Sequence, residues 1–176
     1  HARIGPVDAA AEEELGLFFR GTRYPSGLEL GVYGHTPFFL SGAVSADTLR
    51  SLANLTNDDV REGGLFLPRS TLSIRRTTLL CASQLMVRFV VHTFHFEALQ
   101  VSLELRFAAD FRDIFELRGL VRARQGTREG VREEGQGISF VYHGLDGVRR
   151  TTRCEVSGAT TEWDGAEARL TLELAP

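Results

Sequence analysis

The chain has 176 residues, 43% apolar and 24% charged, the balance of one soluble globular domain large enough to bury its own core. A formal net charge of -3, with no aromatic–basic stripe, removes the counterion-release drive that nucleic-acid binding needs. No apolar run approaches the ~20 residues of a membrane helix, so no membrane partner is expected.

All 20 basic residues are arginine. A coding bias accounts for this more simply than a demand for planar, bidentate donors. Cys81 and Cys154 sit in strand-like stretches without metal-knuckle spacing, and are expected to be small buried apolar residues of a reduced, cytoplasmic protein. The first residue is His1 rather than Met, so the chain is expected to be trimmed from something longer.

In chain order, residues 1–14 read as a lead-in segment, with Glu12, Glu13 and Glu14 after an alanine run. From 15 onward the texture is β-type. Leu17 to Phe19 predict a short strand, Pro25-Ser26-Gly27 a turn, and Leu28, Leu30 and Val32 an alternating strand. His35-Thr36-Pro37 predicts the next turn, before the apolar run Phe38-Phe39-Leu40. Leu49 to Leu55 fits a strand or one helical turn, and Asn57-Asp58-Asp59 with Gly63-Gly64 marks a loop. Alternation resumes at Leu72 and Ile74, then at Leu85, Val87, Phe89 and Val91. The parity of Phe94 and Phe96 is opposite to that of Leu99 and Val101, which predicts a bulge or bend near Glu97-Ala98.

Leu99 to Phe107 alternates strictly, as a strand with one face in a core and one toward water does. An acidic, aromatic turn follows, with Asp110, Asp113 and Glu116 three residues apart. Residues 119–137 read as a Gly-, Arg- and Glu-rich loop with a strand over 120–123. Late strands follow at 138–142, 148–156 and 170–174, the first two joined at Asp146-Gly147, the strongest hairpin signal in the chain. Many short alternating strands predict an all-β fold. We read it as a single-domain antiparallel β-sandwich, supersandwich-like, over residues 15–176, with at most one or two short helical turns.

Three stretches resemble the N-terminal domain of bacterial-type glycogen debranching enzymes, the amylo-α-1,6-glucosidase family. They are Gly16-Leu17-Phe18-Phe19-Arg20-Gly21-Thr22-Arg23-Tyr24, then Leu67-Pro68-Arg69 with its following strand, then Leu103 to Gly119. Within the third, Ala109-Asp110-Phe111-Arg112-Asp113-Ile114-Phe115-Glu116-Leu117-Arg118-Gly119 is the most diagnostic. Phe140 to Arg153 also follows the family pattern. Gly21 departs from it, since the family usually has an acid there. The resemblance implies a non-catalytic β-sandwich preceding a helical (α/α)6 domain, absent from this chain, that carries the glycosidase carboxylates. It implies α-glucan or glycogen as the enzyme's substrate, and no cofactor.

The acids invite a glycosidase reading, because that chemistry uses two carboxylates about 5–9.5 Å apart. Two acids on one helical turn approach a scissile bond from the same side, however, and glycosidase carboxylates flank it. A structural role is favoured, with Asp110 as helix N-cap, Asp113 at the third position of a capping box and Gly119 just past the helix end. An interface or sugar-rim role for Asp110, Asp113, Glu116 and Arg118 is the alternative, and no residue is assigned as catalytic. Arg20, Thr22 and Arg23, ahead of a turn, are the other rim candidates; by resemblance their loop faces the missing catalytic domain and helps shape its substrate entrance. His92 and His95 have opposite strand parity and share no metal site. Trp163 reads as strand-end packing rather than a sugar platform. Neither Ser41 and Ser45 nor Gly63-Gly64 carries a nucleophile or phosphate-loop motif. The rival functions are an independent α-glucan-binding module and a stand-alone glycosidase.

Overall fold

The computed structural model describes residues 16–176. The lead-in segment expected at 1–14 lies outside them. Sixteen strands and one helical turn follow in order. The first seven strands are β1 (Phe18–Phe19), β2 (Thr22–Arg23), β3 (Pro25–Val32), β4 (Phe38–Val44), β5 (Arg50–Thr56), β6 (Val60–Glu62) and β7 (Leu65–Leu67). Next come β8 (Leu72–Cys81), β9 (Gln84–Thr93), β10 (Leu99–Ala109) and the helix α1 (Ile114–Leu117). The rest are β11 (Thr127–Arg128), β12 (Arg132–Glu134), β13 (Gly137–His143), β14 (Arg149–Glu155), β15 (Thr160–Asp164) and β16 (Glu167–Leu174).

This is the all-β class that the alternation predicts, with antiparallel ladders and one short helix. One four-stranded sheet runs β15-β16-β10-β3 and another β4-β5-β8-β9; β13 pairs β11, β12 and β14, and β1-β2 and β6-β7 are small hairpins. The described residues divide into two compact units, one of 30–104 with 171–176, the other of 16–29 with 105–170.

In the first unit, β8 and β9 pair from Leu72↔Thr93 to Cys81↔Gln84, and β5 pairs the other edge of β8. Residues directly opposite share a face. Leu55, Ile74 and Val91 therefore lie on one face, and Asn54, Arg75 and Val90 on the other. Ile74 is buried while Arg75 and Val90 are exposed, so the first face is the inner one. Asn57 is fully buried and acts as a staple: its Nδ2 donates to the carbonyls of Asp58 and Pro68, each at 2.8 Å. Its Oδ1 accepts from the N–H of Leu72 at 2.7 Å, which ties the Leu67-Pro68-Arg69 motif to the start of β8.

In the second unit, β14 covers one edge of β13 along its whole length, leaving β12 and β11 to share the other. Ile138 and Val141 on β13 are among its buried apolar residues. The Asp146-Gly147 turn joins β13 and β14 as expected, with Gly144 N–H donating to Val148 O at 3.0 Å.

Several expectations need correction. Pro25-Ser26-Gly27 opens β3 instead of turning; proline is tolerated as the first residue of a strand. No strand forms at 120–123; the edge of β13 is paired instead by β11 and β12, further along the chain. Cys81 is exposed at the tip of the β8–β9 hairpin rather than buried, because its strand ends there. His95 lies beyond β9, in the bend before β10, where its Nδ1 accepts from the N–H of Glu97 at 3.2 Å; strand parity does not apply to it. The segment 49–55 resolves as the strand β5.

Candidate functional site

Two of the stretches that carry the family resemblance meet in the second unit and build one corner. Its first half is the β1–β2 hairpin, with Phe18 opposite Arg23, Phe19 opposite Thr22, and Arg20-Gly21 at the tip. Its second half is the segment leaving β10, from Asp110 through α1. Two backbone hydrogen bonds join them, Arg23 N–H donating to Arg112 O at 2.8 Å and Ile114 N–H donating to Gly21 O at 2.9 Å, and together they form an antiparallel bridge between Thr22 and Asp113.

Arg23 is the centre of the corner. Its guanidinium is fully buried and grips the Asp110 carboxylate with two nitrogens, Nε to Oδ1 at 3.0 Å and Nη2 to Oδ2. A buried charge needs such pairing, because desolvation costs several kcal/mol per ion. The arginine stem in turn requires Gly16: a Cβ there would lie 2.5 Å from Arg23 Cδ and 2.8 Å from the carbonyl oxygen of Pro25. Next along the chain, Tyr24 sets its ring edge-on to Phe111 at 5.6 Å, and Phe111 stacks on Tyr142 at 5.6 Å with the planes only 6° apart. Phe111 is buried and holds φ at 53°, a left-handed conformation unfavourable for a bulky side chain. Its ring contacts with Tyr24 and Tyr142 offset that cost.

The helix cap differs from expectation. Asp113, not Asp110, is the N-cap, and Glu116 is the third helical residue of a complete capping box. Asp113 Oδ1 accepts from the N–H groups of Phe115 at 2.8 Å and Glu116 at 3.0 Å, while Glu116 Oε2 accepts from Asp113 N–H at 3.0 Å. Asp110 is displaced from the cap because its carboxylate is engaged by Arg23. Partial burial of Asp113 pushes its carboxyl up, yet the two capping N–H groups and the Arg122 guanidinium beside it outweigh this and hold it below the usual carboxylate range. Glu116 Oε1 also accepts from Gln125 Nε2 at 2.9 Å.

Thr22, Arg23, Asp110, Asp113 and Glu116 are thus brought together, and each acid is engaged by partners of its own corner. The cleft among Asp110, Phe111, Arg112, Glu116, Gln125, Arg128 and Tyr142 holds about 10 Å³, room for a single water. Two carboxylates facing across a sugar-sized gap, the arrangement glycoside hydrolysis uses, are not what these three acids form. Arg20 and Arg118 lie apart from the buried cluster, exposed at the hairpin tip and at the helix C-cap.

Residues that the sequence reading passed over stand around them. Phe115 on α1 is 60% exposed, Phe19 52% and Leu120 52%, with the Arg20 guanidinium 5.2 Å from the Phe19 ring centroid. Leu120 is tied to the helix by its N–H donating to Phe115 O at 2.9 Å. The available signal was the apolar residues at the outer positions of the acidic turn. Trp163 is half-buried on β15, its ring 5.8 Å from that of Phe107, which makes it a packing residue.

Fold and corner together define an all-β module with a hydrogen-bonded charged corner edged by exposed apolar side chains. The sequence matches the family described as the N-terminal domain of (some) glycogen debranching enzymes over residues 2–176, and the chain belongs to that family. Comparison with curated proteins finds no match.

Proposed function

We propose that the chain is the non-catalytic N-terminal module of a glycogen-debranching α-1,6-glucosidase, a glycoside hydrolase of the cytoplasm. It docks on a helical (α/α)6 catalytic domain and helps shape the entrance for a branched α-glucan. The docking edge is the corner, with Phe19, Arg20, Phe115, Arg118 and Leu120 facing the partner and Thr22, Arg23, Asp110, Asp113 and Glu116 keeping that edge rigid.

The observation that carries this reading is the contrast between the two layers of the corner. Its inner polar groups are satisfied among themselves, whereas its outer layer leaves aromatic and arginine side chains in water. Arginine and aromatic residues are the types enriched where protein surfaces meet. The cleft beside the corner, the size of one water, does not itself seat a glucan chain.

The test is a Phe115→Asp, Arg118→Glu variant of the longer enzyme that carries this chain. Debranching of a branched α-glucan is expected to lose about tenfold in kcat/KM, in line with a truncated interface anchor. The melting temperature of the 176-residue chain bearing the same changes should not move. Wild-type debranching in the variant overturns the assignment.

A further inference from the structure

The outer face of the β4-β5-β8-β9 sheet is a second surface that the corner does not explain. Strand register places Arg75 beside Asn54 and Val90, Arg88 beside Thr77, and Arg50 beside Leu79. Arg50, Arg75 and Arg88 are exposed and form no ion pair among the described residues. His92, opposite Ser73, adds an exposed imidazole on the same face. None of the paired positions on this face is Asp or Glu, although acids outnumber basic residues in the chain by 23 to 20. The acid beside the face is Asp47, in the β4–β5 turn near Arg50, where it is already engaged by Ser45 Oγ and by Leu49 N–H.

Among the arginines lies an apolar row. Leu52 is opposite Ala43, and Leu79 is opposite Met86, which is 58% exposed; Val90 next to Arg75 is 46% exposed. The inner face of the same sheet holds the buried Leu55 and Ile74, so this row is not the unit's own core.

We propose that this sheet face is a docking surface for a carboxylate-bearing protein surface on the catalytic portion of the enzyme. The identity of the partner rests on the function proposed above; the chemistry of the face does not. Exposed guanidinium groups without internal carboxylates are complementary to acids on a partner. The interspersed leucines and methionine favour a protein surface over a polyphosphate, because a polyanion would neutralise the arginines and leave the apolar row in water. A neutral glucan is disfavoured as well: Phe38, the aromatic ring on this face, is already covered by the Arg69 guanidinium 4.1 Å from its centroid.

The test is arginine labelling with phenylglyoxal, read by mass spectrometry, in the longer enzyme and in the 176-residue chain. Arg75 and Arg88 are expected to label at least fivefold more slowly in the longer enzyme. The Arg75→Glu, Arg88→Glu variant is expected to lower the melting temperature of the longer enzyme while leaving that of the 176-residue chain unchanged. Equal labelling of Arg75 and Arg88 in both proteins, with Arg20 and Arg118 protected, overturns this surface and leaves the corner reading standing. Loss of protection at all four arginines overturns both. Protection that appears only on adding polyphosphate shows a polyanion site and also overturns the proposal.

Discussion

Arg23 and Asp110 are 87 residues apart in sequence and share a two-pronged ion pair, with the guanidinium fully buried and the carboxylate 14% exposed. Removing Asp110 takes the paired carboxylate away from a guanidinium that is buried from water. Asp110→Ala is therefore expected to destabilise the chain by about 3 kcal/mol, a loss readable in urea titrations. Arg23→Lys should also destabilise, because an ammonium cannot reproduce the fork. The double change Arg23→Met, Asp110→Leu should cost less than Asp110→Ala alone. A larger loss in the double variant would refute the pairing as the origin of the effect.

The capping box makes a smaller, separable prediction. Asp113→Ala removes the acceptor for two helix N–H groups and should cost about 1 kcal/mol, with Asp113→Asn retaining most of the stability. The denaturant midpoint measures both, and equal losses in the two variants would contradict capping as the role.

Gly16→Ala tests the packing of the arginine stem. An alanine Cβ would meet Arg23 Cδ and the Pro25 carbonyl, and φ at this position is 141°. The expected result is a lower melting temperature and a smaller increment when Asp110→Ala is added, since the two changes act on one contact network. Simple additivity would argue against it.

The two thiols should differ in reactivity. Cys81 is exposed at a hairpin tip, whereas burial pushes the Cys154 thiol up to about 12. At pH 8 an aromatic disulfide reagent should titrate one thiol per native chain, and the second only on unfolding. Two fast thiols would contradict the shielding of Cys154, which is half-buried.

Acid sensitivity has one identifiable source in the β13–β14 turn. The Arg150 guanidinium, with help from Val148 N–H, lowers the Asp146 carboxyl to about 2. Its folded-state value lies below the ordinary 3.8, so the turn's contribution is complete above that pH and is lost as pH falls toward 2. The Asp146→Asn variant should show a shallower fall in denaturant midpoint between these limits. An unchanged slope would remove Asp146 from the acid limb.

Much of the strand structure was legible because period-two alternation is a local property. Leu99 to Phe107 and Leu85 to Val91 lie within β10 and β9 on that pattern alone. The tight turn at Asp146-Gly147 was equally legible, since its chemistry resides in adjacent residues. Where the reading failed, a distant group had intervened. The short strands β11 and β12 exist because β13 offers them a free edge, not because their own residues alternate.

The acidic turn divides in the same way. Composition and spacing indicated a capped helical turn at Asp110 to Gly119, and the sequence by itself determined that a cap would form there. Which acid would serve was decided only by the tertiary structure. Arg23, brought in on a hairpin from the other end of the chain, engages Asp110 and leaves the cap to Asp113. Capping is a contact between near neighbours, whereas a buried guanidinium must take whichever carboxylate the fold delivers to it. The physical reason for the difference is range, since a buried charge can be satisfied across any separation in sequence that folding closes.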